Sequence, residues 1–325
     1  MKCATEGELF MFEFAPVPTR LKALSVRFCL AAVCLAPTAS FAQGTAAGPG
    51  GDDVGGDLPP MAFQAVAFDS LDTAGFFTSR QVPIKGYLLV SRTGDKAPGA
   101  VLNPACEGLM RPDGAQIRPK YQRMARRLHR LGVTVLLVDG LSPRGFPETC
   151  AKPNVDGIAR LKDALGGLVY LRGRNDVDGA KVLLVGWGSN EGLEGMSQGS
   201  STLTKVGAGF AGAVFYYPDC SKAGHPFAPY APIQVFVGGK DAWTPAAACE
   251  GAAQRQKAGS ASFSIKVYPE AYHSFDTPFG EPRMNDYNPK LGMVGRNADA
   301  TLDSYQMVEV FASTLLGLQS KKVTQ

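Results

Sequence analysis

Four short runs, Val133–Val138, Lys181–Val185, Ala211–Tyr217 and Ile233–Val237, are dominated by β-branched, aliphatic and aromatic residues. Runs this short, without polar alternation, fit strands buried on both faces, which demands helices above and below the sheet. The segments between them supply helices. Over Ile117–Leu131 a helical period puts Ile117, Tyr121, Met124, Leu128 and Leu131 on one face. Asn154 is placed to cap a helix reaching about Leu171, with Ile158, Leu161, Leu165 and Leu168 inward. Pro245–Lys257 and Ala298–Leu316 read as two more helices, and Ile84–Ser91, Ala100–Asn103 and Ser262–Tyr268 as further strands. The alternation predicts one α/β domain over residues 61–325, a mostly parallel, doubly wound sheet flanked by helices. Sites in such sheets lie at the carboxyl ends of the strands, so the residues after each strand carry the functional question.

The first 60 residues read differently. Arg20, Lys22 and Arg27 precede the apolar run Phe28–Leu35, and small residues at Ser40 and Ala42 fit a cleavage site. Residues 1–42 are expected to be a signal peptide cut after Ala42, with Met1 or Met11 as the start. The run is shorter than the roughly 20 residues a membrane span needs. Gln43 to Pro60 is rich in glycine and small residues and reads as a flexible linker. A periplasmic or secreted protein with no membrane association after cleavage is expected. The net charge of +4 on 325 residues gives no reason to expect a nucleic-acid partner. Oligomeric state is not readable from the chain.

Export changes the reading of the cysteines. Cys106, Cys150, Cys220 and Cys249 remain after cleavage, and an even number in an oxidising compartment suggests two disulfides. Of three possible pairings, Cys106–Cys150 and Cys220–Cys249 are favoured because each pair follows successive strands. Four buried free thiols are the alternative, and no Cys-x-x-Cys or Cys/His spacing suggests a metal.

The strand ends hold Asp139-Gly-Leu-Ser-Pro-Arg144-Gly, Gly186-Trp-Gly-Ser189-Asn-Glu-Gly192, Pro218-Asp-Cys220, Gly238-Gly-Lys-Asp241-Ala-Trp243 and Pro269-Glu-Ala-Tyr-His273-Ser-Phe-Asp276. An acid followed by a histidine, each after a strand, is the α/β-hydrolase order. Together these strings resemble the dienelactone hydrolase family, in particular its exported branch, from about residue 80 to 318. The resemblance implies that His273 is the general base and acid and that Asp241 orients its imidazole. It implies cleavage of a small ester or lactone, with no cofactor and no metal. The other histidines read as a solvated His129 and a structural His225. The basic positions Arg118, Lys120, Arg123, Arg126, Arg127 and Arg130 read as a solvated helix face.

The nucleophile turn departs from the family pattern Gly-x-nucleophile-x-Gly. Counted directly from Gly186, the nucleophile position falls on Gly188, which has no side chain to attack with. Counted with Gly188 as an insertion, it falls on Ser189, and Trp187 and Glu191 then occupy positions that usually need small residues. Both registers stay open, with Cys106 a remote substitute. The first gives a pseudo-hydrolase that binds a ligand or partner. The second gives a serine hydrolase with a Ser189-His273-Asp241 triad. The loop after the third strand of the family usually reads His-Gly-Cys-x-Gly; here it is Asn103-Pro104-Ala105-Cys106-Glu107-Gly108. Pro104 lacks an N–H, so the backbone donors of Cys106 and Asn190 are the expected oxyanion hole. Arg144 is a candidate for binding a substrate carboxylate, or else a structural arginine bonded to loop carbonyls. Trp187 and Trp243 are candidates for lining the pocket. Segments 107–120 and 277–300 are expected to shape it.

Overall fold

The computed structural model describes residues 61–73, 81–91, 96–151, 157–188, 190–201, 203, 206–278 and 280–318. The expected signal peptide and linker, Asn154 and Ser189 lie outside the described residues.

Eight strands form one sheet in the order β1-β2-β4-β3-β5-β6-β7-β8. They are β1 (Gln64–Thr73), β2 (Gln81–Leu89), β3 (Ala97–Asn103), β4 (Thr134–Asp139), β5 (Val177–Trp187), β6 (Gly212–Tyr216), β7 (Ile233–Gly238) and β8 (Phe263–Tyr268). β1 pairs antiparallel with β2, and β2 with β4; all later pairings are parallel. The reversal of order between β3 and β4 follows from helix α1 (Pro119–Arg130), which carries the chain from one to the other. Every residue of β4, β6 and β7 is buried, the outcome that their unbroken apolar runs require.

Side chains alternate between two apolar layers. Val101 faces a core shared with Leu161, Leu165 and Leu168 of α2 (Gly157–Arg172) and with α3 (Asn190–Gly195) and α4 (Ala246–Gln254). Ala100 and Leu102 face the opposite core, closed by Tyr121, Met124 and Leu128 of α1 and by Tyr305, Val308 and Ala312 of α5 (Ala298–Leu316). Each fully buried Leu or Val in these layers contributes about 1.5–3 kcal/mol relative to exposure. The α5 boundaries coincide with those expected because Asn297 caps the helix, its side chain accepting from the Ala300 N–H at 3.0 Å.

Two expectations change. Strand β1 lacks a legible signal: Val66, Phe68 and Ser70 point inward, but the outward Ala65 and Ala67 blur the alternation. The basic face of α1 is only partly solvated: Arg130 is exposed and Arg118 and Arg126 are half-buried. Lys120, Arg123 and Arg127 are buried. α5 lies over this face and supplies Glu309, which Arg127 meets at 2.6 Å, and Tyr305, over whose ring the guanidinium sits at 5.1 Å. Both expected disulfides, Cys106–Cys150 and Cys220–Cys249, are present. Beyond β8 a small antiparallel pair, β9 (Arg283–Met284) and β10 (Met293–Val294), is tied to the histidine loop, where the Gly295 N–H donates to the His273 carbonyl at 2.9 Å. No helix among the described residues is long and apolar enough to cross a membrane.

Candidate active site

His273 follows β8, and Asp241 follows β7. Their strand ends are adjacent, so parallel pairing alone brings them together. His273 Nδ1 lies 2.8 Å from Asp241 Oδ2, and both residues are buried. Asp241 is held in turn. Its Oδ1 accepts the backbone N–H groups of Trp243 (2.9 Å) and Thr244 (2.8 Å), and its Oδ2 accepts the Thr244 hydroxyl at 2.8 Å. An Asp241 with this many donors is an acceptor for the imidazole, which favours the tautomer carrying its proton on Nδ1. Among the described residues Nε2 makes no hydrogen bond. The ring lies between Trp243, stacked at 4.5 Å and 27°, and Tyr217 at 4.4 Å.

His273 opens onto a cavity of about 500 Å³ whose walls include Cys106, Gly188, Trp243 and Tyr287. Parts of both expected shaping segments line it, Glu107 to Lys120 on one side and Thr277 to Gly295 on the other. The turn after β5 presents Gly188 to this cavity in the left-handed region, at φ +54°. A Cβ on Gly186 would stand 2.8 Å from the Phe215 ring, and one on Gly192 2.5 Å from it. The two close-packing glycines of the turn therefore lie six residues apart rather than four. The turn is longer than the family pattern, and Trp187 does not have to fill a small position.

Trp187 ends β5 fully buried, stacked on Tyr216 at 5.5 Å, with its indole N–H donating to Asp276 at 2.7 Å. It belongs to the core and does not line the cavity, whereas Trp243 does. Arg144 is also absent from the cavity. Its guanidinium makes two 2.8 Å bonds to Asp163 of α2 and one to the Gly140 carbonyl, with Asp72 at 3.6 Å. This bidentate engagement leaves no free fork for a substrate carboxylate, so the arginine is structural.

In the loop after β3, the Ala105 N–H is already bound to the Tyr121 hydroxyl at 3.0 Å. The Cys106 N–H has no acceptor among the described residues and borders the cavity. The Cys106 thiol is tied to Cys150, which removes it as a substitute nucleophile. Asn190 opens α3, so its N–H is one of the first-turn donors without an acceptor inside the helix.

Sequence reasoning missed a buried polar chain behind these groups. Glu107 accepts from Lys120 at 2.5 Å and from the Tyr121 hydroxyl at 2.6 Å. Lys120 also donates to the Tyr217 hydroxyl at 3.0 Å, which donates to Asp276 at 2.8 Å. Burial pushes the Glu107 carboxyl up, but Lys120 and Tyr121 outweigh it and hold it at about 2. Burial, and then Asp276, push the Tyr217 phenol well above its ordinary value. Asp276 stands in the quoted histidine string, but nothing in its spacing distinguishes a buried acceptor from a solvated loop acid.

Residues 158–315 match the dienelactone hydrolase family. No curated protein matches the chain. Among solved structures, a putative dienelactone hydrolase from Klebsiella pneumoniae is similar at 16% identity and a TM-score of 0.51, over 78% of this chain and 99% of that one. Thermogutta terrifontis esterase 2, in a form phosphorylated by paraoxon, is 13% identical with a TM-score of 0.55, over 78% and 95%. A dienelactone hydrolase from Anabaena variabilis is 17% identical with a TM-score of 0.50, over 76% and 96%. Residues 158–315 thus belong to the dienelactone hydrolase family, and the fold that contains them is that of the α/β-hydrolases.

Proposed function

We propose that the protein is an exported serine hydrolase that cleaves a small ester or lactone. The observation that carries this reading is the His273–Asp241 pair, which borders the same cavity as Gly188 of the β5 turn and Cys106, with His273 Nε2 and the Cys106 N–H bonded to none of the described residues. Ser189, next to Gly188, is the nucleophile. His273 removes its proton as it attacks the substrate carbonyl, and Asp241 stabilises the imidazolium. The N–H groups of Cys106 and Asn190 receive the developing oxyanion. His273 then protonates the leaving alkoxide, and a water deprotonated by the same nitrogen releases the acyl group. The amino-terminal segment and the two disulfides support export.

One observation favours a second reading. Among the described residues of the turn Gly188 is left-handed, so a residue without a side chain takes the backbone conformation expected of the attacking residue in such turns. In that reading the cavity binds a ligand without turnover. Hydrolysis of p-nitrophenyl acetate by wild type, Ser189→Ala and His273→Ala separates them. Turnover lost in both variants supports the hydrolase. A Ser189→Ala variant as fast as wild type refutes it.

A further inference from the structure

We propose that Lys120 is a positioning residue of the oxyanion loop, acting by neutralising Glu107, the half-buried carboxylate that follows Cys106 in the chain. The inference rests on the hydrolase reading for its kinetic consequence, but its structural part stands apart from turnover.

Glu107 follows Cys106, a residue of the cavity wall whose N–H has no acceptor among the described residues. A carboxylate one residue from a developing oxyanion opposes it, and its partial burial weakens the screening. Its neighbours are few. From α1 come Lys120 and the Tyr121 hydroxyl. Arg118, just before α1, donates to the Glu107 carbonyl at 3.0 Å, not to its carboxylate. Tyr217, at the end of β6, and Asp276, on the histidine loop, reach it only through Lys120. Tyr287 approaches from the β9–β10 segment and adds no cation. Lys120 is therefore the one cation among the described residues bonded to this carboxylate. It is itself buried and walled in by the Tyr121 and Tyr217 rings, at 5.0 and 5.6 Å from its nitrogen.

The same ammonium joins three loops. Through Glu107 and Tyr121 it holds the Ala105–Gly108 turn, because Tyr121 accepts the Ala105 N–H. Through Tyr217 and Asp276 it reaches the histidine loop and the indole of Trp187, the residue before Gly188. Lys120 borders the cavity, but its ammonium is engaged by Glu107 and the Tyr217 hydroxyl, so its role is that of a positioning residue and not a catalytic one.

Replacing it with methionine keeps the stem and removes the charge. Glu107 then loses the partner that holds it low, and burial raises its pKa. Above the new value the carboxylate is ionised with no cation beside it, only the Tyr121 hydroxyl, and the loop opens; below it the carboxyl is protonated and the loop stays closed. The kcat of Lys120→Met relative to wild type is therefore expected to fall with rising pH, by tenfold or more at pH 8, with KM within about twofold. Taking the ratio cancels any pH dependence common to both enzymes. Lys120→Met/Glu107→Gln, which removes both charges, recovers kcat to within about threefold and restores a flat ratio. Hydrogen exchange of a peptide covering residues 104–109 reports the loop without turnover. It is faster in Lys120→Met at pH 8 than at pH 5.5 relative to wild type, and normal in the double variant. A pH-independent ratio, or a double variant no better than the single, overturns the inference. If wild type hydrolyses no ester, the hydrolase reading fails and loop exchange alone decides: unchanged exchange in Lys120→Met overturns the positioning role as well.

Discussion

Replacing Arg144 with methionine separates the two roles that the sequence leaves open for this residue. The Asp163 side chain is 1% exposed and that of Arg144 12%. Two 2.8 Å charged hydrogen bonds join them, and Asp72 remains served by Lys162 at 3.0 Å whatever happens to Arg144. Removing the guanidinium strands a buried carboxylate, which costs about 3–5 kcal/mol. For a domain of this size that corresponds to a fall in Tm of about 10 °C. The loss has a definite pH dependence. Burial already raises the Asp163 pKa with Arg144 in place, and without it the pKa rises further. The folded state then binds a proton that the unfolded state releases, so stability falls as pH rises, by about 1.4 kcal/mol per pH unit between the unfolded and folded pKa. Urea melts at pH 5 and pH 7.5 measure this. The destabilisation is expected to be larger at pH 7.5, and Arg144→Met/Asp163→Leu to regain most of it. The KM for a carboxylate-bearing ester should stay within twofold of wild type. A variant of normal stability with a KM raised tenfold or more would refute the structural role and return Arg144 to the substrate.

Other substitutions probe the site and its frame. Asp241→Asn is expected to lower kcat by about 10⁴ with little change in the melt, since it disfavours the tautomer with the proton on Nδ1; a loss under tenfold would show that Thr244 alone orients His273. Gly192→Ala places a Cβ 2.5 Å from Phe215 and should cost about 1–3 kcal/mol in a denaturant melt; a neutral result would mean the turn is loosely packed. Cys220→Ser/Cys249→Ser opens a 29-residue span and is expected to cost about 3–4 kcal/mol by urea unfolding, with kcat retained in the folded fraction.

Much of the fold was legible because burial on both faces writes itself directly into sequence. The runs at Val133–Val138 and Ile233–Val237 admit few other structures, and the order of acid and histidine after successive strands located Asp241 and His273. The expectation of export, by suggesting paired cysteines, made both disulfides accessible from the order of the strands. What was not legible depends on partners distant in the chain. Arginines on α1 look solvated until α5 supplies Glu309 and Tyr305, 182 residues away in the case of the Arg127–Glu309 pair. Trp187 reads equally well as a pocket wall or as core, and only the position of Asp276 decides. The Glu107–Lys120 pair gives no motif, since neither residue type nor spacing announces burial. The β5 turn is ambiguous for another reason: its close-packing glycines are six apart, so counting from Gly186 alone cannot align it with a five-residue pattern.

The central claim is that the turn after Gly188 carries a working nucleophile beside His273. Intact mass of the mature protein after exposure to a fluorophosphonate tests it most directly. The account predicts one added probe mass, mapped by peptide sequencing to Ser189 and absent in both Ser189→Ala and His273→Ala. A cooperatively folded wild type that gains no mass, or that is labelled at another residue, would contradict it.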